Sequence, residues 1–320
     1  MPRKRSPRKG SLQYWPRARA KKIRPRIKKI SLDKAGLSGF AGYKVGIVHV
    51  CLLDERKNSM TKGERITVPA TIIECPPLRV FGVRFYKIKN GTFVSGETIL
   101  NQKLDKELKR IVQLPKKKTK SIDEVKLDEY DDLAVIVYTM PKLAGIRKKK
   151  PELFELSIGG KDIKEKVEFV KGLLDKEIKV SDVFSEGALV DVHAVTKGKG
   201  FQGAVKRFGV AIRQHKSEKT KRGPGTLGPW TPKRVSWTVP QAGKMGFHQR
   251  TEYNKLILKI GKADEINKDG GYLNYGILKS DFVLLKGSIP GSRKRLIVFT
   301  AAKRPNDKLL MVPKIEQIIK

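Results

Sequence analysis

Two cation-dense segments constrain this chain more than any other feature. Residues 1–29 hold 13 Lys and Arg and no acid, and residues 197–250 hold 13 with a single acid, Glu218. At net +13 and +12 they carry +25 of the formal +38 on 83 of the 320 residues. Neither can collapse by itself, because like charges extend it and apolar residues are sparse. The remaining 237 residues carry +13 and must supply the folded core. Solubility needs a net charge of only about 2–8. The excess therefore points to a polyanionic partner met by two segments rather than by the whole surface.

The rest of the chain reads as mainly β. YKVGIVHVCLLD (43–54), ERITVPATIIEC (64–75) and LRVFGVRFYKI (78–88) are β-branched and aromatic runs bounded by Gly, Pro or Asn-Gly. They predict strands of an antiparallel sheet or barrel. DLAVIVYTM (132–140), FELSIGG (154–160), ALVDVHAVT (188–196), YNKLILKIG (253–261), DFVLLKG (281–287) and RLIVFT (295–300) predict further strands. Ile99, Leu104, Leu108, Ile111 and Val112 have helical spacing with Pro115 just beyond, so 97–112 is expected to be a helix. A second helix opens at Asp162, with Val167, Val170 and Leu174 turned inward. Helices alternating with strands between 97 and 180 predict an α/β insert in an otherwise β domain. Strands flank 197–250 on both sides, so that segment leaves a barrel and returns to it. Fifty-four residues without a clear element require either disorder or a partner.

Several chemistries find no support. Cys51 and Cys75 form no CxxC pair, and the four histidines, His49, His193, His215 and His248, have no metal spacing. Buried thiols in a reducing compartment are expected. Neither HExxH nor GxSxG is present, and no cofactor is implied. No run of about 18 apolar residues predicts a membrane span, and MPRKRSPRKG lacks the apolar region of a secretory signal. Gly198-Lys199-Gly200-Phe201-Gln202-Gly203 matches GxGxxG after a strand, but Gly209 cuts the following helical run short and no suitable acid follows. The same glycines let backbone approach a phosphate that Lys197, Lys199, Lys206 and Arg207 neutralise.

All three tryptophans, Trp15, Trp230 and Trp237, lie in or beside the basic segments rather than in the strand runs. Rings among cations are the composition of RNA binding, where rings stack on unpaired bases and cations meet phosphate. The alternative is that the rings staple the excursion to its own base or to residues 1–30. Gly223, Gly225 and Gly228 with Pro224, Pro229 and Pro232 surround Trp230 and make a stiff finger. Three function classes follow: an RNA-bound structural protein, a basic DNA-compacting chromatin protein, and an RNA-processing enzyme with an unrecognised site.

KGKGFQGAVKRFG (197–209) and LGPWTPKRVSWTVPQAGKMGFHQRTEYN (227–254) resemble the L-three family of large-subunit ribosomal proteins. So do GLSGFAGYKVGIVHV (36–50) and KGSIPGSRKR (286–295), and the likeness runs in order over nearly the whole chain. Gly-x-Trp-x-Pro followed by a second Trp is similar to the archaeal and eukaryotic members. The resemblance implies a translation-protein (EF/reductase-like) β-barrel with an α/β insert, a long basic N-terminal arm and an internal basic finger. By that reading 1–35 is the arm, 36–100 and 251–320 are barrel parts, 101–180 is the insert, 181–196 is a barrel strand and 197–250 is the finger. It implies a ribosome-bound, cytoplasmic protein that contacts large-subunit rRNA and neighbouring ribosomal proteins, takes part in early assembly and catalyses nothing. The finger is implied to reach toward the peptidyl-transferase centre and the aminoacyl-tRNA path. Trp230, with Pro232, matches the finger tip, and Arg234, Lys244 and Arg250 match its cationic positions. Arg3, Lys4, Arg5, Arg17, Arg19, Arg222, Lys233 and His248 complete the expected rRNA contacts. Trp15, Trp237 and Phe247 are the expected packing or stacking rings.

Overall fold

The computed structural model describes residues 7–56, 58–115, 120–217, 219–310 and 314–319. Its strands, in chain order, are β1 (Gly36–Leu37), β2 (Gly39–Leu53), β3 (Arg65–Glu74), β4 (Leu78–Lys89), β5 (Thr92–Leu100), β6 (Asp132–Thr139), β7 (Leu153–Gly159), β8 (Leu189–Val195), β9 (Gly198–Gln202), β10 (Gly243–Gly246), β11 (Gln249–Gly261), β12 (Phe282–Lys286), β13 (Leu296–Ala301) and β14 (Lys314–Ile319). The α-helices are α1 (Ile163–Leu173), α2 (Ala204–Phe208) and α3 (Ala263–Ile266). The chain divides into two compact units, one made of residues up to Lys22 with Val195–Gln249, the other of Ile23–Ala194 with Arg250–Lys320.

In the larger unit, pairing runs β13-β8-β11-β12-β3-β2, and β13 pairs again with β2, so six strands close into a ring. Closure is possible because β2 is long. Its first half pairs with β13, from Tyr43 opposite Leu296 to Gly39 opposite Thr300, and its second half pairs with β14. Gly42 sits where β2 and β3 press together, and a Cβ there would lie 2.6 Å from the Glu74 carbonyl oxygen. Phe40, Phe299 and Phe184 stack as tilted rings in the core, with Phe40 and Phe299 fully buried. Closing the ring removes the free edges that an open sheet would expose.

A second sheet has the order β1-β7-β6-β4-β5. Between 101 and 180 the described residues hold only one α-helix, α1, alongside β6 and β7. It follows Asp162 and buries Val167 and Val170, as its apolar spacing predicts. The helix expected over 97–112 does not form. Asn90 and Gly91, both at positive φ (49° and 70°), turn the chain back so that β5 pairs with β4, placing Ile99 opposite Val83. Positive φ at both central residues suits the right-handed strand twist. Only Lys106–Arg110 form a 3₁₀ turn, which drops Leu108 into a small cluster with Phe81, Ile136, Tyr138 and Met140. Tertiary pairing here overrides a helical apolar period.

Cys75 is buried, and burial pushes its thiol up, while Cys51 is only partly covered. Among the described residues no helix is long and apolar enough to cross a membrane.

Candidate nucleic-acid interface

Most of the two basic segments, residues up to Lys22 and Lys197–Gln249, folds as one unit, whereas Ile23–Lys29 and Arg250 belong to the larger one. The smaller unit's frame is the antiparallel ribbon β9–β10, in which Gly243 faces Gln202 and Lys244 faces Phe201. At the ribbon's base Gly246 has φ +77°, and a Cβ there would lie 2.0 Å from the Lys197 carbonyl oxygen. Glycine alone fits both demands. Next to the ribbon, α2 ends at Gly209 in the left-handed conformation and buries Phe208. Residues 210–242 contribute neither helix nor strand among those described.

Side chains supply what regular structure does not. Trp15 stacks on Phe208 with ring centroids 5.7 Å apart and meets Trp237 edge-on at 5.4 Å. Each such pair contributes about 0.5–1.5 kcal/mol beyond its buried area. The Arg17 guanidinium lies 4.1 Å from the Phe208 ring centroid and donates to the Arg207 carbonyl at 2.9 Å. Arg207 donates in turn to the carbonyls of Lys244 (3.2 Å) and Gln241 (3.0 Å), tying α2 to the returning chain. Ala20 N donates to the Phe247 carbonyl at 2.8 Å. His248 is buried, and its Nδ1 lies 2.7 Å from the Ala18 carbonyl, so Nδ1 carries the proton. Arg19 lies over the Phe247 ring. Residues 8–20 are thus fastened to residues 207–248.

This sorts the residues expected at an interface. Arg17, Arg19, Arg207 and His248 hold the unit together, and Arg8 and Arg213 do likewise through the carbonyls of Thr238 and Gly225. Lys197, Lys199, Lys206, Arg222, Lys233, Arg234 and Lys244 are exposed. Every ion pair among the described residues lies in the larger unit, so these cations have no carboxylate neutralising them. Arg250 begins the larger unit's share of β11 and is half-buried. Arg3, Lys4, Arg5 and the acid Glu218 fall outside the described residues. Trp230 is 86% exposed and Pro232 is exposed beside it, whereas Trp237, 68% exposed, spends one edge on Trp15. Phe201 on β9 is 72% exposed and joins them, and its signal in the sequence is KGKGFQG, a ring set among cations. No group of three or more His, Cys, Asp or Glu able to hold a metal occurs among the described residues.

Gly246→Ala should loosen the unit selectively. Strain at positive φ costs about 1–3 kcal/mol, and the clash with Lys197 adds to it. Limited proteolysis should cut 197–249 faster, with the larger unit's melting unchanged; an unaltered cleavage pattern would refute the role of this glycine.

A family model described as Ribosomal protein L3 matches residues 1–319. The chain is 46% identical to the large ribosomal subunit protein uL3 of Methanothermobacter thermautotrophicus, covering 99% of this chain and 98% of that one. It is 47% identical to uL3 of Methanobrevibacter smithii (99% and 98%) and 48% identical to that of Archaeoglobus fulgidus (93% and 92%). These matches, with the mainly-β body and its cation-rich second unit, define a structural, non-enzymatic ribosomal protein. The chain belongs to the ribosomal protein L3 family.

Proposed function

We propose that this chain is a structural constituent of the large subunit of an archaeal-type cytoplasmic ribosome and that it binds large-subunit rRNA directly, helping to nucleate assembly. The observation that carries the rRNA contact is the split in pairing: ion pairs serve the larger unit, while the smaller unit's exposed Lys and Arg lack them. Unpaired cations beside exposed rings suit phosphate and unstacked bases. In this reading 1–35 is an arm, 197–250 is a finger, and the ring of six strands is the barrel type shared by translation proteins. Trp230 is the finger's tip, extended toward the peptidyl-transferase centre and the path of aminoacyl-tRNA.

The protein should co-sediment with the large subunit through a high-salt wash, and loss into the supernatant would sink the constituent reading. Trp230→Ala should change stability by less than about 0.5 kcal/mol, as at other exposed sites. Ribosomes carrying it should accommodate aminoacyl-tRNA at an altered rate. A several-degree fall in melting temperature would instead make the ring a structural staple.

A further inference from the structure

The larger unit carries a notch of about 200 Å³ that no part of the reading above uses. Its walls come from Val45–His49 on β2, the loop containing Lys268, Tyr272 and Leu273, and Arg293 before β13, with Ile319 of β14 at one side. The walls are fixed by backbone. Tyr272 N and Gly276 N exchange hydrogen bonds with each other's carbonyls at 2.9 Å, and the Tyr272 hydroxyl donates to the Ile266 carbonyl at 2.6 Å. Opposite, Lys294 N donates to the Lys44 carbonyl at 2.8 Å, and Lys44 N to that of Arg295 at 3.1 Å.

On this rigid frame Leu273 is 71% exposed, and Ile47 and Ile319 are exposed beside it. Apolar side chains held out by a tied loop around a concavity mark a contact surface. The rim gives the partner's charge. His49, Lys268 and Arg293 are exposed, no carboxylate occurs among the ten lining residues, and neither Lys268 nor Arg293 forms an ion pair among the described residues. The space admits one flat ring rather than a helix, and single-stranded RNA offers bases splayed out from the stack with phosphates on either side.

We infer that this notch receives one extruded nucleotide of large-subunit rRNA, its base against Leu273 and Ile47 and its flanking phosphates at Arg293 and Lys268. The inference rests on the rRNA reading above, and the test separates the two. Full-length wild-type protein and the Lys268→Ala/Arg293→Ala variant are titrated with transcribed large-subunit rRNA across a salt series, with circular dichroism to confirm that both are folded. Losing two phosphate contacts should make the log–log slope shallower by about 1.4–1.8. Leu273→Ser should weaken binding several-fold with the slope unchanged. Ultraviolet crosslinking of assembled subunits should leave a nucleotide adduct on the 268–273 peptide. A steep wild-type slope unchanged in the double variant overturns the notch and spares the rRNA reading, whereas a wild-type slope below about 3 overturns both. Adducts confined to 195–249, or Lys268 crosslinked to a neighbouring protein, also overturn the notch.

Discussion

Replacing Glu74 with alanine should lower the stability of the larger unit by about 3–5 kcal/mol, because four neutral donors lose one shared buried acceptor, at about 1–3 kcal/mol for each left unsatisfied. Glu74 ends β3 with no exposed surface. One carboxylate oxygen accepts from Lys279 N at 2.6 Å and Ser280 N at 3.1 Å; the other accepts from Gly145 N at 3.1 Å and from the Tyr275 hydroxyl. Burial, followed by the Glu74 charge, pushes the Tyr275 phenol well above its ordinary range, so it stays a donor at all physiological pH values. Alanine would leave the buried Tyr275 phenol and three part-buried backbone N–H groups without their acceptor, at about 1–3 kcal/mol for each group that water cannot reach. Relaxation and water entry keep the total below the sum. For a unit of this size each kcal/mol moves the melting temperature by about 2–4 °C, so a fall of roughly 6–20 °C is expected by scanning calorimetry. Glu74→Gln should be milder, because its remaining carbonyl oxygen still accepts, although its amide faces donors. A change below about 1 kcal/mol for Glu74→Ala would mean that the loops at 145 and 275–280 are held by something else.

Glu74 also shows where sequence reading stops. ERITVPATIIEC announces a buried strand through its β-branched run, and β3 forms there. An acid at the end of such a run signals a buried charge, but its partners lie about 70 and 200 residues away, and no local period reports them. The same limit explains β5. Ile99, Leu104 and Leu108 satisfy a helical spacing locally, yet the Asn90-Gly91 turn and the waiting edge of β4 capture the segment as a strand. The strands with dense apolar runs were legible because burial leaves a continuous pattern. β9 and β10 were not, because an exposed ribbon of Gly and Lys has no apolar face to betray it. For the candidate interface, composition located the cations and the rings. It could not separate cations that build the unit from those left free. Arg207 and Lys206 are adjacent in sequence and alike in charge, and only the fold spends the first on the carbonyls of Gln241 and Lys244.

That separation sets the largest expected effect on binding. If the smaller unit meets rRNA through about ten phosphates, the affinity of the full-length protein for large-subunit rRNA should fall with a log–log salt slope near −9, roughly five decades between 50 and 200 mM. Filter binding across a salt series measures it. Changing Lys197, Lys199, Lys206, Lys233, Arg234 and Lys244 to Gln should remove about 4–5 from that slope, because each free cation releases close to one condensed counterion when it meets a phosphate. Six cations of the larger unit make the control. Arg65, Lys87, Lys103, Lys142, Lys171 and Lys314 already face Glu316, Glu129, Asp175, Glu107, Asp123 and Glu55. A cation with a carboxylate beside it must give up that partner before it can serve a phosphate, so neutralising this set should move the slope by less than about 1. Both variants lose the same formal charge, so a general effect of +38 would weaken them equally. Equal loss, or a wild-type slope below about 3, would refute an interface made by the smaller unit. Arg17 and Arg207 belong to neither set, since their guanidinium groups are committed to rings and carbonyls inside the unit. Arg17→Gln should therefore weaken binding by loosening residues 7–22, visible as their faster proteolysis, and leave a binding slope set by the cations that remain free.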